Sequence, residues 1–144
     1  MPEMTRDDFQ AECRKRGLAV TVQRRAVFEA VSARRDHPTA DQVYDKIRGR
    51  IPGLSRTTVY RVLDTLVEAG FLRRVQHAGS VTRFDPMTER HHHLVCEACG
   101  RLVDVEDAAV PSLRLPEVRG SGFRITDYSV SFLGLCGPCA RAKR

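Results

Sequence analysis

The sequence predicts an α+β chain: an N-terminal winged helix-turn-helix over residues 1–85, a hinge at 85–90, and a smaller strand-bearing domain over residues 91–144. Two observations predict the first part. Up to residue 70 apolar side chains recur at helical spacing, and just beyond it two short extended runs flank a turn. A third observation marks the second part: the pairs Cys96/Cys99 and Cys136/Cys139 sit at opposite ends of it, 36 residues apart, in strand-like surroundings.

Residues 5–16 predict a first helix, with Thr5 as cap, Asp7 and Asp8 in the first turn, Arg14 to Arg16 in the last, and Gly17 as its stop. Residues 22–35 predict a second, with Ala26, Val27, Ala30 and Val31 as its apolar stripe. After the connection Asp36-His37-Pro38, Thr39 and Gln42 form a capping-box pair that starts a third helix, with Val43, Tyr44 and Ile47 facing inward. The fourth helix is the clearest: Ser55 caps it, Val59, Val62, Leu63, Leu66 and Val67 fall at i, i+3, i+4, i+7 and i+8, and Gly70 ends it. Residues 71–76 and 81–85 flank the turn 77–80 and read as a hairpin. Helices, a short turn before the best helix, and a basic hairpin describe a winged helix-turn-helix.

In the second part, residues 91–95 and 101–105 predict two strands around the first cysteine pair. Pro111 and Pro116 restrict residues 107–119 to short helical pieces. Residues 120–122 predict a turn, and residues 123–135 a strand leading to the second cysteine pair.

Composition excludes some classes. No run approaches the roughly 18 apolar residues of a spanning helix, so no membrane partner is expected. The acidic, polar start lacks a secretory pattern, which predicts a cytoplasmic protein. Net charge is +6 and uneven: residues 1–85 hold 16 basic against 11 acidic side chains, or +5, and the remainder 8 against 7, or +1. The N-terminal part thus carries the field that a phosphate backbone attracts.

Two constellations carry metal chemistry. A Cys-x-x-Cys turn lets two thiolates grip one ion, and two such turns complete the closed tetrahedral set of a structural zinc: Cys96, Cys99, Cys136 and Cys139. Cys13, alone on the first helix, reads as a half-buried core thiol. On a strand His91 and His93 project to one face and can share an ion while His92 points away; Asp85 and Asp104 could add oxygens. Such a nitrogen and oxygen set suits Fe(II), Mn(II), Co(II), Ni(II) or Zn(II). A solvated histidine cluster is the alternative. Local spacing says nothing about His37.

The fourth helix begins Ser55-Arg56-Thr57-Thr58-Val59-Tyr60-Arg61. Its apolar face is used by the core, leaving Arg56, Thr57, Tyr60 and Arg61 outward, where a recognition helix presents side chains to the major groove. An ordinary solvated helix face is the plainer reading.

The runs His37-Pro38-Thr39-Ala40-Asp41-Gln42-Val43-Tyr44, Ser55-x-x-Thr58-Val59-Tyr60, Arg83-Phe84-Asp85 and His91-His92-His93-Leu94-Val95-Cys96-x-x-Cys99-Gly100 resemble the ferric uptake regulator family in order and spacing, across nearly the whole chain. Within it the chain looks most like the peroxide-responsive branch. The resemblance implies a homodimeric repressor of operator DNA, with a C-terminal α/β dimerisation domain holding the zinc. It also implies a regulatory Fe(II) or Mn(II) site of His37, Asp85, His91, His93 and Asp104, whose ion clamps the two domains. Peroxide is then the only small molecule acted on, and His37 or His91 the residue oxidised. An iron-, manganese- or zinc-responsive uptake regulator is the alternative within the family.

The chain departs from the family pattern at several positions. Arg90 and Tyr128 stand where many relatives carry ligands of another metal site, which predicts its absence. Ala19 replaces a basic residue that reaches the minor groove, leaving Lys15 and Arg24, with Arg14, to contact phosphates. Val22 stands where proline is common. An enzyme is not expected: a deaminase needs H-x-E and P-C-x-x-C, and neither occurs. A thiol oxidoreductase would need a thioredoxin-like setting. A zinc ribbon for protein contacts alone would leave the basic half without a task.

Overall fold

The structure, a computed structural model, describes residues 4–76, 80–110 and 112–143. Apart from Ser80, the expected 77–80 turn lies outside the described residues, as does Pro111. The chain divides into two compact units, Met1–Thr88 and Glu89–Arg144.

Unit 1 has four helices, α1 (Arg6–Lys15), α2 (Val22–Ser32), α3 (Ala40–Ile47) and α4 (Arg56–Glu68), then the antiparallel pair β1 (Arg73–Val75) and β2 (Arg83–Asp85). Each helix starts on a side-chain cap: Thr5, Thr21, Thr39 and Ser55 accept from the backbone N–H three residues on. Capping boxes close at Thr5/Asp8 and Thr39/Gln42, satisfying donors that otherwise face water. The capping box at Thr5 also holds the Asp8 carboxyl below its ordinary range, because the Thr5 hydroxyl and backbone N–H both donate to it.

At the other end of α4, Gly70 takes φ +80°, and the amide of Phe71 returns to the Leu66 carbonyl. The positive φ is what requires glycine at this stop; a Cβ there would also meet Arg16 Nη1 at 2.8 Å and displace that side chain. Phe9 stacks on Phe28 and tilts against Phe71, and these rings join Val27, Val31, Ile47, Val59, Leu63 and Leu66 in one apolar core.

Several predicted elements are shorter than the sequence reading has them. The second helix stops at Ser32, because Arg34 turns aside to pair with Asp36 through two hydrogen bonds. The hairpin strands contract to three residues each, since Phe71 and Leu72 leave the strand to fill the core. Cys13 is fully buried, not half-buried, and burial raises its thiol pKa.

Unit 2 is a three-stranded sheet in the order β4-β3-β5, followed by a short helix. β3 (His91–Cys96) pairs antiparallel with β4 (Leu102–Glu106) and parallel with β5 (Ser131–Gly134). A single 3-10 turn, Asp107–Ala109, follows β4. The strand expected over 123–135 reduces to its last part: Phe123 is 79% exposed, and the ladder on β3 begins only at Ser131. The second cysteine pair opens helix α5 (Gly137–Ala142), with Pro138 in its first turn, where a missing N–H costs nothing.

Candidate metal centres and nucleic-acid interface

The four cysteines meet because the sheet brings them together. Cys96 ends β3 opposite Gly134 of β5, two residues before Cys136, and Cys99 sits in the turn that follows β3. Their sulfurs all lie within 4.8 Å of one another. The Cys136 N–H points at Cys96 Sγ, 3.3 Å away, and Cys99 and Cys136 sulfurs are 3.7 Å apart. Backbone donors from Cys136, Cys99 and Ala98 hold the Cys96 thiol down to about 6, so it is a ready thiolate. Cys139 goes the other way, pushed up to about 12 by hydrogen bonding with Cys136, Cys99 and Cys96. Four sulfurs this close cannot all ionise without a cation among them, and a divalent ion preferring tetrahedral sulfur fits them. The four cysteines fit a structural zinc.

The imidazole and carboxylate donors fall into two sets, one in each unit. In unit 1, His37 and Asp85 are both buried, with Nε2 and Oδ2 3.5 Å apart. His37 has φ +55°, a left-handed conformation that is costly for a side-chain-bearing residue, about 1–3 kcal/mol where the surroundings enforce it. The enforcing contacts are to β2: Arg83 Nη1 donates to the His37 carbonyl at 3.0 Å, and the Phe84 N–H donates to the Pro38 carbonyl at 3.0 Å. Asp85 ends the same strand, and its Oδ1 accepts from the Met87 N–H at 2.8 Å. Local spacing could not bring in His37, because its partner Asp85 lies 48 positions on, across a strand contact; only the family resemblance pointed to it.

In unit 2, His91, His93 and Asp104 present ligand atoms to one another. Asp104 stands opposite His93 across the β3/β4 ladder, with Oδ1 3.3 Å from His93 Nε2 and 3.5 Å from His91 Nε2. His91 Nδ1 lies 2.9 Å from the Glu89 carbonyl, which can only accept, so Nδ1 carries a proton and Nε2 is the nitrogen that faces Asp104. Fe(II) or Mn(II) suits these nitrogen and oxygen donors.

His92 points to the other face, as strand alternation requires, but it is buried, not solvated. Its Nδ1 accepts from the Val130 N–H at 3.0 Å, so Nε2 bears the proton and donates to Asp107 Oδ1 at 2.7 Å. Its tautomer is therefore the reverse of its neighbour's. Tyr128 stacks on His92, Arg90 lies over Tyr128 with its carbon 4.4 Å from the ring centre, and Arg90 pairs with Asp127 at 2.9 Å. Arg90 and Tyr128 are thus engaged with one another.

On α4, Arg56, Thr57, Tyr60 and Arg61 are all exposed. Of the other basic residues singled out, Lys15 lies 3.6 Å from Glu12, and Arg24 Nη1 donates to the Ala19 carbonyl at 2.7 Å. Among the described residues no helix is long and apolar enough to cross a membrane.

A winged-helix unit joined to a unit carrying four clustered cysteines and histidine/aspartate donors defines a metal-dependent transcriptional regulator. The model of the ferric uptake regulator family matches residues 15–133, and the chain belongs to that family. It is 38% identical over 136 residues to the transcriptional regulator FurA of Mycobacterium tuberculosis, covering 92% of this chain and 90% of that one. It is 30% identical over 125 residues to the peroxide operon regulator of Bacillus subtilis, covering 87% and 86%. In fold it matches the Helicobacter pylori ferric uptake regulator, a structure described as having three functional metal binding sites, with a TM-score of 0.70, 19% identity and 97% of each chain covered.

Proposed function

We propose that this chain is a homodimeric, cytoplasmic repressor that binds operator DNA when a single regulatory ion joins its two units, and that it senses hydrogen peroxide at that ion. The observation that carries the reading is the division of donors. His37 and Asp85 in one unit, and His91, His93 and Asp104 in the other, are each too few for the five or six ligands that Fe(II) or Mn(II) takes, and together they supply three nitrogens and two carboxylates. An ion drawing on both sets fixes the winged units relative to the dimer, and its loss lets them move off successive major-groove turns. In unit 1, α4 presents Thr57, Tyr60 and Arg61 to the groove, with Arg56 beside them, while Lys15 and Arg24 lie near the phosphates.

Support for the dimer comes from one face of the sheet. Val103, Leu94 and Phe132 stand in register across β4, β3 and β5, and each is more than 40% exposed. A cross-strand apolar row of this kind is what a second copy covers.

Fe(II), when bound, supplies the reductive cleavage of peroxide, which Mn(II) does not. By analogy with the peroxide-responsive branch that the chain resembles, His37 or His91 is the imidazole oxidised; uptake of one oxygen atom at either would remove a ligand and open the clamp. Aspartate at both carboxylate positions and the likeness to a peroxide operon regulator support this reading. The likeness to FurA favours the second reading, a metal-uptake regulator without peroxide sensing.

The test is to load the zinc-bound dimer anaerobically with Fe(II) or Mn(II), add peroxide, and follow binding to a duplex selected from a random pool together with peptide masses. A one-oxygen gain on His37 or His91 and release of DNA in the Fe(II) form alone is expected. Unchanged mass and binding in both forms leaves the second reading. His37→Asn, which tolerates the positive φ, should keep zinc and the dimer but lose metal-dependent DNA binding; loss of the dimer would contradict the division of labour.

A further inference from the structure

Strand β2 holds His37 at two points. Side chains alternate across a strand, so Arg83 and Asp85 share one side of β2, while Phe84 between them fills the core from the other. Arg83 Nη1 donates to the His37 carbonyl at 3.0 Å and lies 3.4 Å from the Asp36 carbonyl, and Asp85 Oδ2 lies 3.5 Å from His37 Nε2. One strand thus fixes the backbone of His37 with a cation and faces its imidazole with a carboxylate. The neighbouring residues are tied down beside it: the Phe84 N–H donates to the Pro38 carbonyl, Thr39 forms a bridge with Arg83, and the Asp36 carboxylate pairs with Arg34.

The backbone of His37 requires such a hold. At φ +55° it occupies the left-handed region, which a residue with a side chain disfavours. Pro38 also disfavours the right-handed helical alternative, so the competing state is extended backbone at a φ of about −120°. That rotation moves both the carbonyl and the imidazole, carrying the first off Arg83 and the second off Asp85. A hydrogen bond from a charged donor is about twice as strong as a neutral one, and Arg83 places one on the carbonyl that the rotation would displace.

We propose that Arg83 is a positioning residue for the regulatory metal: acting through the His37 carbonyl, it keeps His37 left-handed and its imidazole beside Asp85, where one ion can take both. This rests on the regulatory-metal reading above. The sign of the effect separates positioning from charge. Taking a positive charge away from the neighbourhood of a bound divalent cation lowers repulsion and tightens binding, whereas releasing His37 weakens it.

The test uses the full zinc-loaded chain, titrated with Mn(II) while free Mn(II) is counted by electron paramagnetic resonance. Arg83→Met, which keeps the stem and removes the donor, should weaken Mn(II) binding about tenfold or more, the usual loss when a group that orients a metal ligand is removed. Arg83→Lys, which keeps a charged donor, should recover part of that loss. Zinc content and the urea midpoint of the helical signal should stay near wild type, because the bond lost and the strain released oppose one another. Before Mn(II) is added, nuclear magnetic resonance should show the close N–H to Hα approach of a positive φ at His37 in the wild type and not in Arg83→Met. Unchanged or tighter Mn(II) binding in Arg83→Met, or a His37 that keeps its positive φ there, would overturn the proposal. So would a loss of Mn(II) binding accompanied by unfolding of unit 1. A wild-type zinc-loaded chain that takes up no Mn(II) defeats the regulatory-metal reading and this proposal with it, and the first titration tells that case apart.

Discussion

In unit 1 the apolar side chains removed from solvent run from Phe9 through Val27, Val31, Ile47, Val59, Leu63 and Leu66 to Phe84; in unit 2 the buried described residues are His91, His92, His93, Cys96 and Leu102. Burying a Leu, Val or Phe side chain contributes about 1.5–3 kcal/mol, so unit 1 has an ample source of stability of its own. Imidazoles and thiols contribute little by burial, and their polar atoms must be answered by hydrogen bonds or metal. Unit 2 also leaves Leu94, Val103, Phe132 and Leu133 at the surface. A unit of fewer than 60 residues with so small an interior depends on ligation and on a partner. The comparison teaches that unit 1 has the apolar interior to hold itself together, whereas unit 2 buries mostly groups that an ion would satisfy, so metal supply should bear more heavily on the second.

That contrast breaks most visibly at the thiolates. Cys96→Ser should release zinc and unfold unit 2 while the helical signal of unit 1 persists, because zinc binding in small sites is worth about 10–16 kcal/mol and serves as folding energy; zinc release with a chromophoric chelator and circular dichroism measure the two. Loss of all helical signal would refute the separation.

The protonation state of the same site sharpens it. At pH 7.5 Cys96, held at about 6, is already ionised, whereas Cys139, pushed up to about 12, holds its proton. Zinc uptake by the metal-free chain should therefore expel the Cys139 proton and not one from Cys96. The affinity should fall steeply as pH drops through about 6, where Cys96 also becomes protonated. Proton release into a weak indicator buffer, against zinc added, is the measurement.

Leu63→Ala strikes the other unit. It should cost about 2–5 kcal/mol of unit 1 stability without altering zinc content, read from thermal or urea unfolding of the helical signal. The smallest of these effects is Thr39→Ala, which removes one capping box at about 1 kcal/mol. Because Thr39 lies two residues past His37, the variant should also loosen regulatory metal binding slightly, detectable by Mn(II) titration.

Most of unit 1 was legible in the chain itself. Ser55, the five apolar positions of α4 and Gly70 name that helix and both its ends, since capping and periodicity are local. The cysteine set was legible too, because a two-residue spacing is dictated by the ion that the thiolates share. His91 and His93 on one strand face follow from the pleat, and Asp104 opposite them needs only the antiparallel return. The extent of the last strand was not legible: nothing within residues 123–135 marks that pairing begins at Ser131, as that depends on where β3 lies alongside. Nor was the fate of His92, whose partners Asp107 and Val130 come from two different segments.

By itself, then, the order of residues determined the positions of the helices, the caps at Thr5, Thr39 and Ser55, and the cysteine and His91/His93 donors, all of which depend on neighbours within about four positions or on the chemistry of a side chain. Tertiary structure alone decided that His37 faces Asp85, that Arg56 rests against Asp41 and Tyr44, and that backbone donors lower the Cys96 thiol while its neighbours raise that of Cys139. Each of those depends on groups brought close from distant positions, and electrostatic and hydrogen-bond energies are set by distance in space.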